Sequence, residues 1–114
     1  MIKIYHNPRC RKSREGLAIV EASGEDFEII NYLEEVPGKK EFRKVLGYLS
    51  LSPEQLIRKN EAIWKEKFKG RVLSDDELID AMLEYPKLIE RPIVIKGDKA
   101  VIGRPPEKII ELLK

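Results

Sequence analysis

One cysteine, Cys10, dominates the chemistry that this sequence could perform. It is the only cysteine among 114 residues, and its neighbours along the chain are basic: Arg9, Arg11, Lys12 and Arg14. Neighbouring cations and the backbone N–H groups at the start of a helix stabilise a thiolate and so lower the pKa of a thiol. A cysteine that only fills space in a core has apolar neighbours instead. We therefore interpret Cys10 as a nucleophile.

The absence of a second cysteine restricts what this nucleophile can do. Cys10 and Ser13 form a C-x-x-S motif, in which serine replaces the second cysteine of a dithiol site. A single thiol can form neither an internal disulfide nor a zinc site, so a resolving thiol must come from another molecule. Gly16 stands where a C-x5-R phosphatase loop needs arginine, which excludes that loop. We expect no bound metal or cofactor.

Three other residues are candidates to support a thiolate at Cys10. His6 is the only histidine and lies four positions before the cysteine. As a cation it would stabilise the thiolate, although it could instead be a strand-end residue bonded to the backbone. The hydroxyl of Ser13 can donate a hydrogen bond from one helical turn away. Arg14 adds positive charge.

Three arginines stand apart from the other basic residues by their context. Arg58 lies near the end of a predicted helix in the middle of the chain. Arg91 begins a predicted buried strand, and Arg104 lies where a strand meets the last helix. Taken singly, each could be a surface ion-pair partner. Together, their guanidinium groups could bind a tetrahedral oxyanion through paired hydrogen bonds and hold it against the sulfur.

Hydrophobic patterns indicate the elements that must position these residues. The first third of the chain predicts a strand at Ile2–Tyr5, a helix from about Cys10 to Ala22 and a largely buried strand at Phe27–Leu33. Such a unit implies two parallel strands with a right-handed crossover. The last third predicts a hairpin from apolar runs at 93–95 and 100–102, then a short helix at 107–113.

The middle of the chain is predicted to be helical. Lys39–Leu49 has apolar residues at helical spacing, and capping boxes begin at Ser52 and Ser74. The basic run Lys65–Arg71 indicates an exposed turn. The order βαβ, helices, ββα is that of a thioredoxin-like α/β fold, a four-stranded mixed sheet with a helical insertion at about 38–86. We expect residues 1–114 to form one such domain.

Composition and charge exclude several classes of protein. The net charge is only +2 and basic residues alternate with acidic ones, so we expect no binding to nucleic acid. No apolar stretch approaches the roughly 20 residues of a membrane helix, and the N-terminus has no signal-peptide pattern. We expect a cytoplasmic, monomeric protein that does not bind membranes.

These residues resemble those of a known family, the glutaredoxin-coupled arsenate reductases, within a wider group that includes the Spx-type regulators. The matching segments, spread over nearly the whole chain, are IYHNPRCRKSR, INYLEEVP, LIRKN, LIDAMLEYPKLIERPIVI and IGRPPEKI. The resemblance implies that Cys10 is the catalytic nucleophile and that Arg58, Arg91 and Arg104 hold arsenate and the arsenite product. The resemblance to thioredoxin-like folds implies a cis peptide bond before Pro92.

The resemblance further implies a reaction in which an external thiol is consumed. Cys10 would attack arsenate or a related oxyanion, glutathione would attack the adduct, and glutaredoxin would complete the reduction. A departure from the best-studied members is the bulky, basic pair Arg11-Lys12. Two alternatives stay open: a glutaredoxin-type protein-thiol oxidoreductase and an Spx-like regulator that binds RNA polymerase. Spx-type regulators usually have a C-x-x-C switch where this chain has Ser13.

Overall fold

The computed structural model describes residues 1–114, with four strands and six α-helices. They are β1 (Ile2–Tyr5), α1 (Arg11–Ala22), β2 (Phe27–Ile30), α2 (Lys39–Leu49), α3 (Pro53–Leu56), α4 (Ala62–Lys67), α5 (Asp75–Glu84), β3 (Ile93–Lys96), β4 (Lys99–Ile102) and α6 (Glu107–Leu113). One 3-10 turn, Pro86–Leu88, follows α5. The chain forms two compact units, which we call the sheet unit (Met1–Glu35 with Arg91–Lys114) and the helical unit (Val36–Glu90).

All four strands belong to the sheet unit and form one sheet in the order β2-β1-β3-β4. β1 is parallel to β2 and antiparallel to β3, and β3 and β4 form an antiparallel hairpin. Gly97 and Asp98 connect the hairpin strands, and Gly97 has a φ of 66°, which glycine adopts without steric cost. The predicted four-stranded mixed sheet of thioredoxin-like type is therefore confirmed.

The second strand is shorter and more exposed than the sequence predicts. β2 ends at Ile30 instead of Leu33, and the side chain of Ile29 is 46% exposed. Asn31 ends the strand because its side-chain oxygen accepts a hydrogen bond from the N–H of Leu33, 3.3 Å away. β2 pairs only with β1, so it is an edge strand, and the prediction of a largely buried strand was wrong.

One apolar core holds the first helix on the sheet. It consists of Ile2, Ile4, Val20, Val94 and Ile109, all of them at most 1% exposed. These residues come from β1, β3, α1 and α6, so both helices pack against the sheet. Burial of each such aliphatic side chain contributes about 1.5–3 kcal/mol to folding. The core therefore fixes the position of α1, and with it the turn that contains Cys10.

The helical unit contains α2 to α5. Both predicted capping boxes are present, at Ser52 and Ser74. Ser74 Oγ accepts a hydrogen bond from the N–H of Glu77 at 3.2 Å, and the Glu77 side chain accepts one from the N–H of Ser74 at 3.0 Å. Lys39 of α2 donates to carboxylates of α5, those of Asp76 and Asp80, each at 2.9 Å. None of the helices in either unit has the length and apolarity needed to cross a bilayer.

The middle of the chain agrees with the predictions in part. α3 is a single turn that ends at Leu56, and Arg58 lies two residues beyond it, near a helix end as predicted. The basic run Lys65–Arg71 is largely exposed and contains a turn at 68–70, as predicted, but its first three residues belong to α4. Trp64 is 7% exposed and anchors this short helix, but the charged residues that follow it hide this apolar signal in the sequence.

Candidate active site

Cys10 is the N-cap residue of α1, at the turn that joins β1 to this helix. Its φ of −94° and ψ of 122° are extended, while its carbonyl already accepts the N–H of Arg14 at 3.0 Å. Asn7 closes the preceding turn, because its carbonyl accepts the N–H of Cys10 and its side chain accepts the N–H of Arg9, both at 3.0 Å. The sulfur therefore stands at the positive end of the helix.

The surroundings of the sulfur lower the pKa of the Cys10 thiol below its ordinary value. Partial burial by itself raises this pKa, because it disfavours the charged form. The backbone N–H of Ser13, the guanidinium of Arg91 and the backbone N–H of Lys12 act in the opposite direction and together outweigh burial. The site therefore favours the thiolate that a nucleophile needs.

Two arginines from the open end of the β3–β4 hairpin converge on this sulfur. Because Ile93 pairs with Ile102, the residues just outside the two strands share one end of the hairpin. Arg104 donates from Nη2 to Cys10 Sγ at 3.4 Å and from Nε to the carbonyl of Arg91 at 2.8 Å. The guanidinium of Arg91 also lies near the sulfur and lowers its pKa. The structure thus brings Cys10, Arg91 and Arg104 together.

Both of these arginines precede a proline in a cis peptide bond. The bond between Arg91 and Pro92 is cis, as the resemblance implies, and so is the bond between Arg104 and Pro105. The carbonyl of Pro92 also accepts the N–H of Gly103 at 2.9 Å. Hydrogen bonds within the hairpin thus hold together the two backbone segments that carry the guanidinium groups.

His6 and Ser13 are placed differently from the prediction that their side chains act on the thiolate directly. Both are buried, and Ser13 Oγ lies 2.7 Å from His6 Nδ1 and accepts the N–H of Asn7 at 2.9 Å. Burial lowers the pKa of His6, and its contact with Ser13 opposes this only in part. The surroundings of His6 therefore favour its uncharged form, and Ser13 acts on Cys10 through its backbone N–H instead of its hydroxyl.

The basic residues adjacent to Cys10 in sequence make other contacts. Arg14 donates to the carbonyl of Pro8 at 3.0 Å and so braces the turn before the cysteine. Arg11 and Lys12 both pair with Glu15 on the exposed side of α1, at 3.4 Å and 3.6 Å. The guanidinium groups on the sulfur come from distant positions instead.

Arg58 belongs to the helical unit, where two carboxylates hold its side chain. Its Nε donates to Glu61 at 3.2 Å and its Nη1 donates to Glu90 at 2.9 Å. The side chain is only 13% exposed, which distinguishes Arg58 from the surface ion pairs of this unit. Neither carboxylate was among the residues that the sequence singled out, although Glu90 is the direct neighbour of Arg91.

The sheet and its single activated thiol place the protein in the thioredoxin-like class. Residues 5–112 match the ArsC family, and the chain belongs to this family. It is 43% identical over 112 residues to an arsenate reductase of Haemophilus influenzae, covering 96% of this chain and 97% of that protein. It is also 44% identical to the uncharacterized protein YfgD of Escherichia coli, over 98% of this chain and 96% of that protein.

A solved structure with close similarity has the same fold. The arsenate reductase from Vibrio cholerae superposes with a TM-score of 0.91 at 46% sequence identity, covering 96% of this chain and 95% of that chain. The family and the fold implied by the resemblance are therefore confirmed. The catalytic roles of Cys10, Arg58, Arg91, Arg104, His6, Ser13 and Arg14 stay predictions.

Proposed function

We propose that this protein reduces arsenate to arsenite, with Cys10 as the nucleophile and an external thiol as the reductant. The observation that carries the proposal is the 3.4 Å contact between Arg104 Nη2 and Cys10 Sγ, beside the Arg91 guanidinium. A tetrahedral oxyanion bound by these two guanidinium groups would have its central atom next to the sulfur. Relatives named arsenate reductase, in Haemophilus influenzae and Vibrio cholerae, support this choice of oxyanion.

The same groups serve the thiolate and the oxyanion. Backbone N–H groups at a helix N-terminus and guanidinium forks are the donors that proteins use to bind phosphate-like anions. Before arsenate binds, these donors stabilise the thiolate of Cys10. In this proposal Arg58 is also assigned to the oxyanion site, because the resemblance implies it. It would supply the third positive charge for an anion whose net charge is about −1.5 to −2.

The proposed reaction begins with attack of the Cys10 thiolate on arsenic. A sulfur–arsenic bond forms, and one arsenate oxygen takes up protons and leaves as water, so arsenic is still As(V). A glutathione thiolate then attacks the Cys10 sulfur, and the electron pair of the sulfur–arsenic bond stays on arsenic. Arsenite leaves as As(III), and Cys10 remains in a mixed disulfide with glutathione. A glutaredoxin thiol takes over the glutathione and releases the Cys10 thiolate.

A coupled assay with arsenate, glutathione and glutaredoxin tests this proposal. We expect turnover by the native protein and none by Cys10→Ser, because a hydroxyl is a far weaker nucleophile and leaving group than a thiolate. Circular dichroism should show that the variant is folded, since the side chains have nearly the same size. Turnover by Cys10→Ser at the native rate, or none by the native protein, would contradict the proposal.

The same assay distinguishes the arginines assigned to the oxyanion from other arginines. We expect a lower kcat/KM for arsenate in each of three variants, Arg58→Ala, Arg91→Ala and Arg104→Ala. Arg71→Ala is a matched control, because the Arg71 side chain lies over Phe68 and donates to the carbonyl of Lys67, and no proposed site residue is among these partners. Native kinetics in any of the first three variants would remove that arginine from the proposed site.

A further inference from the structure

Arg58 is held in one orientation by two acidic side chains of the helical unit. Glu61 accepts from Nε at 3.2 Å and Glu90 accepts from Nη1 at 2.9 Å. The three side chains are partly shielded from solvent, with 13% exposed for Arg58, 23% for Glu61 and 27% for Glu90. Shielding strengthens charge-assisted hydrogen bonds, so this triad differs from the weak ion pairs of an exposed surface.

The backbone fixes the triad as firmly as the side chains do. Ile57 and Ile89 form an isolated antiparallel bridge. On its two sides, the N–H of Arg58 donates to the carbonyl of Leu88 at 2.7 Å, and the N–H of Glu90 donates to the carbonyl of Leu56 at 3.0 Å. Glu90 therefore faces Arg58 because of main-chain pairing, and its carboxylate is not a chance contact of two flexible side chains.

The triad uses only part of the donor capacity of Arg58. A guanidinium has five N–H donors in a fixed planar fork, and the two carboxylates engage Nε and Nη1. Nη2 lies between these two nitrogens and carries two further donors. Because Glu61 and Glu90 hold the guanidinium plane through its other two nitrogens, the direction of the Nη2 donors is set before any ligand binds. Such preorganisation lowers the entropic cost of binding.

We propose that Glu61 and Glu90 are positioning residues for oxyanion binding, which act by orienting Arg58 so that its Nη2 donors meet the anion. This inference rests on the proposed function, which assigns Arg58 to arsenate. It adds that the two carboxylates that hold Arg58 strengthen anion binding, although their negative charge alone would weaken it. The sign of the effect therefore separates positioning from simple electrostatics.

Steady-state kinetics with arsenate test whether the carboxylate of Glu90 strengthens or weakens arsenate binding. We expect Glu90→Ala to raise the KM for arsenate about tenfold, with a smaller change in kcat, because a misplaced donor weakens binding. Glu90→Gln should raise the KM less, since its amide oxygen still accepts from Nη1. Glu54→Gln is the matched control in the same unit, because Glu54 pairs with Lys59 and not with Arg58. A KM that falls in Glu90→Ala would overturn the proposal.

A double-mutant cycle tests whether Glu90 acts through Arg58. If it does, the KM of Arg58→Ala/Glu90→Ala should equal that of Arg58→Ala alone, because the positioned group is already gone. A merely structural role of Glu90 would make the two effects additive. Additive effects would therefore contradict the proposal.

The Nε–H signal of Arg58 in a ¹H–¹⁵N NMR spectrum gives a readout that needs no arsenate. The signal can be assigned by its loss in Arg58→Lys. We expect it to be sharp in the native protein and in Glu54→Gln, and broadened by solvent exchange in Glu61→Ala. A native-like signal in Glu61→Ala would refute the positioning while leaving arsenate reduction intact. Absent turnover with the expected NMR change would refute the proposed function and leave the orientation of Arg58 established.

Discussion

At the scale of single residues, the reactivity of Cys10 depends on groups that are far away in sequence. Arg104, which touches the sulfur, is 94 positions away, whereas the adjacent Arg11 pairs with Glu15 on the outer side of α1. The N–H groups of Lys12 and Ser13 also act on the sulfur, but as parts of the helix start, whatever their side chains. Thiolate stabilisation is thus a property of the folded turn and hairpin.

We expect the replacement of Arg91 by alanine to raise the pKa of the Cys10 thiol. The variant loses a hydrogen bond and a positive charge that favour the thiolate, while the burial that raises this pKa remains. The thiolate fraction at neutral pH therefore falls. The rate of alkylation by iodoacetamide as a function of pH should show its midpoint at higher pH than in the native protein.

Arg11→Ala is the control for this measurement. Arg11 carries the same charge next to Cys10 in sequence, but its side chain is 85% exposed and bound to Glu15. Its removal should leave the alkylation midpoint in place, because solvent screens an exposed charge. A midpoint in Arg91→Ala equal to the native value would show that Arg91 does not tune the thiol.

At the scale of elements, α1 and the hairpin approach each other closely at two glycines. A Cβ atom on Gly16 would lie 2.7 Å from Cγ of Pro92, and one on Gly103 would lie 2.7 Å from Cδ1 of Ile109. Real Cβ atoms do not approach other atoms so closely. The absence of side chains at these positions therefore lets the segment that carries Arg91 lie against the helix that begins at Cys10.

We expect opposite effects from the same substitution at two helical glycines. Gly16→Ala should destabilise the protein by about 1–3 kcal/mol, because overpacking at Pro92 and Ile109 forces neighbours to move. Gly47→Ala in α2 meets no atom within 4 Å and should stabilise the protein by roughly 0.5–1 kcal/mol through helix propensity. Urea unfolding measures both changes. A Gly16→Ala variant as stable as the native protein would show that the helix and the hairpin are free to separate here.

At the scale of the whole molecule, the two units differ in the reactive and charged groups that they contain. The sheet unit contains the thiol with two guanidinium groups, and the helical unit contains the Arg58 triad. The boundary between the two units falls between Glu90 and Arg91. Glu90 accepts a hydrogen bond from Arg58 in the helical unit, whereas Arg91 acts on the Cys10 sulfur in the sheet unit. Neither unit supplies a second thiol, because Cys10 is the only cysteine.

We expect oxidised glutathione to add one glutathione per chain, at Cys10, and none to Cys10→Ser. Intact-protein mass spectrometry measures this directly. Since no second cysteine can attack the mixed disulfide, it should persist until an external thiol is supplied. If the native protein stayed unmodified at neutral pH, the conclusion that Cys10 has a lowered thiol pKa and an accessible sulfur would be contradicted.

Local patterns predicted most elements but few side-chain contacts. The bounds of β1, α2 and α6 agree with the prediction, because each is defined by apolar spacing and by caps or turns next to it in sequence. β2 was predicted too long, since its edge position depends on which strands pair. α4 was missed because its second half, Lys65 to Lys67, is entirely charged and hides the apolar first half that contains Trp64.

The amino-acid sequence by itself determined the element order, the solitary thiol at a helix start and the identity of three candidate arginines. These features depend on residue type and short-range spacing, which a sequence displays directly. Only the tertiary structure decided that Arg104 contacts the sulfur with Arg91 beside it, that His6 is buried with a lowered pKa, and that Glu61 and Glu90 hold Arg58. Those outcomes depend on strand pairing and burial, which bring together groups that are distant along the chain.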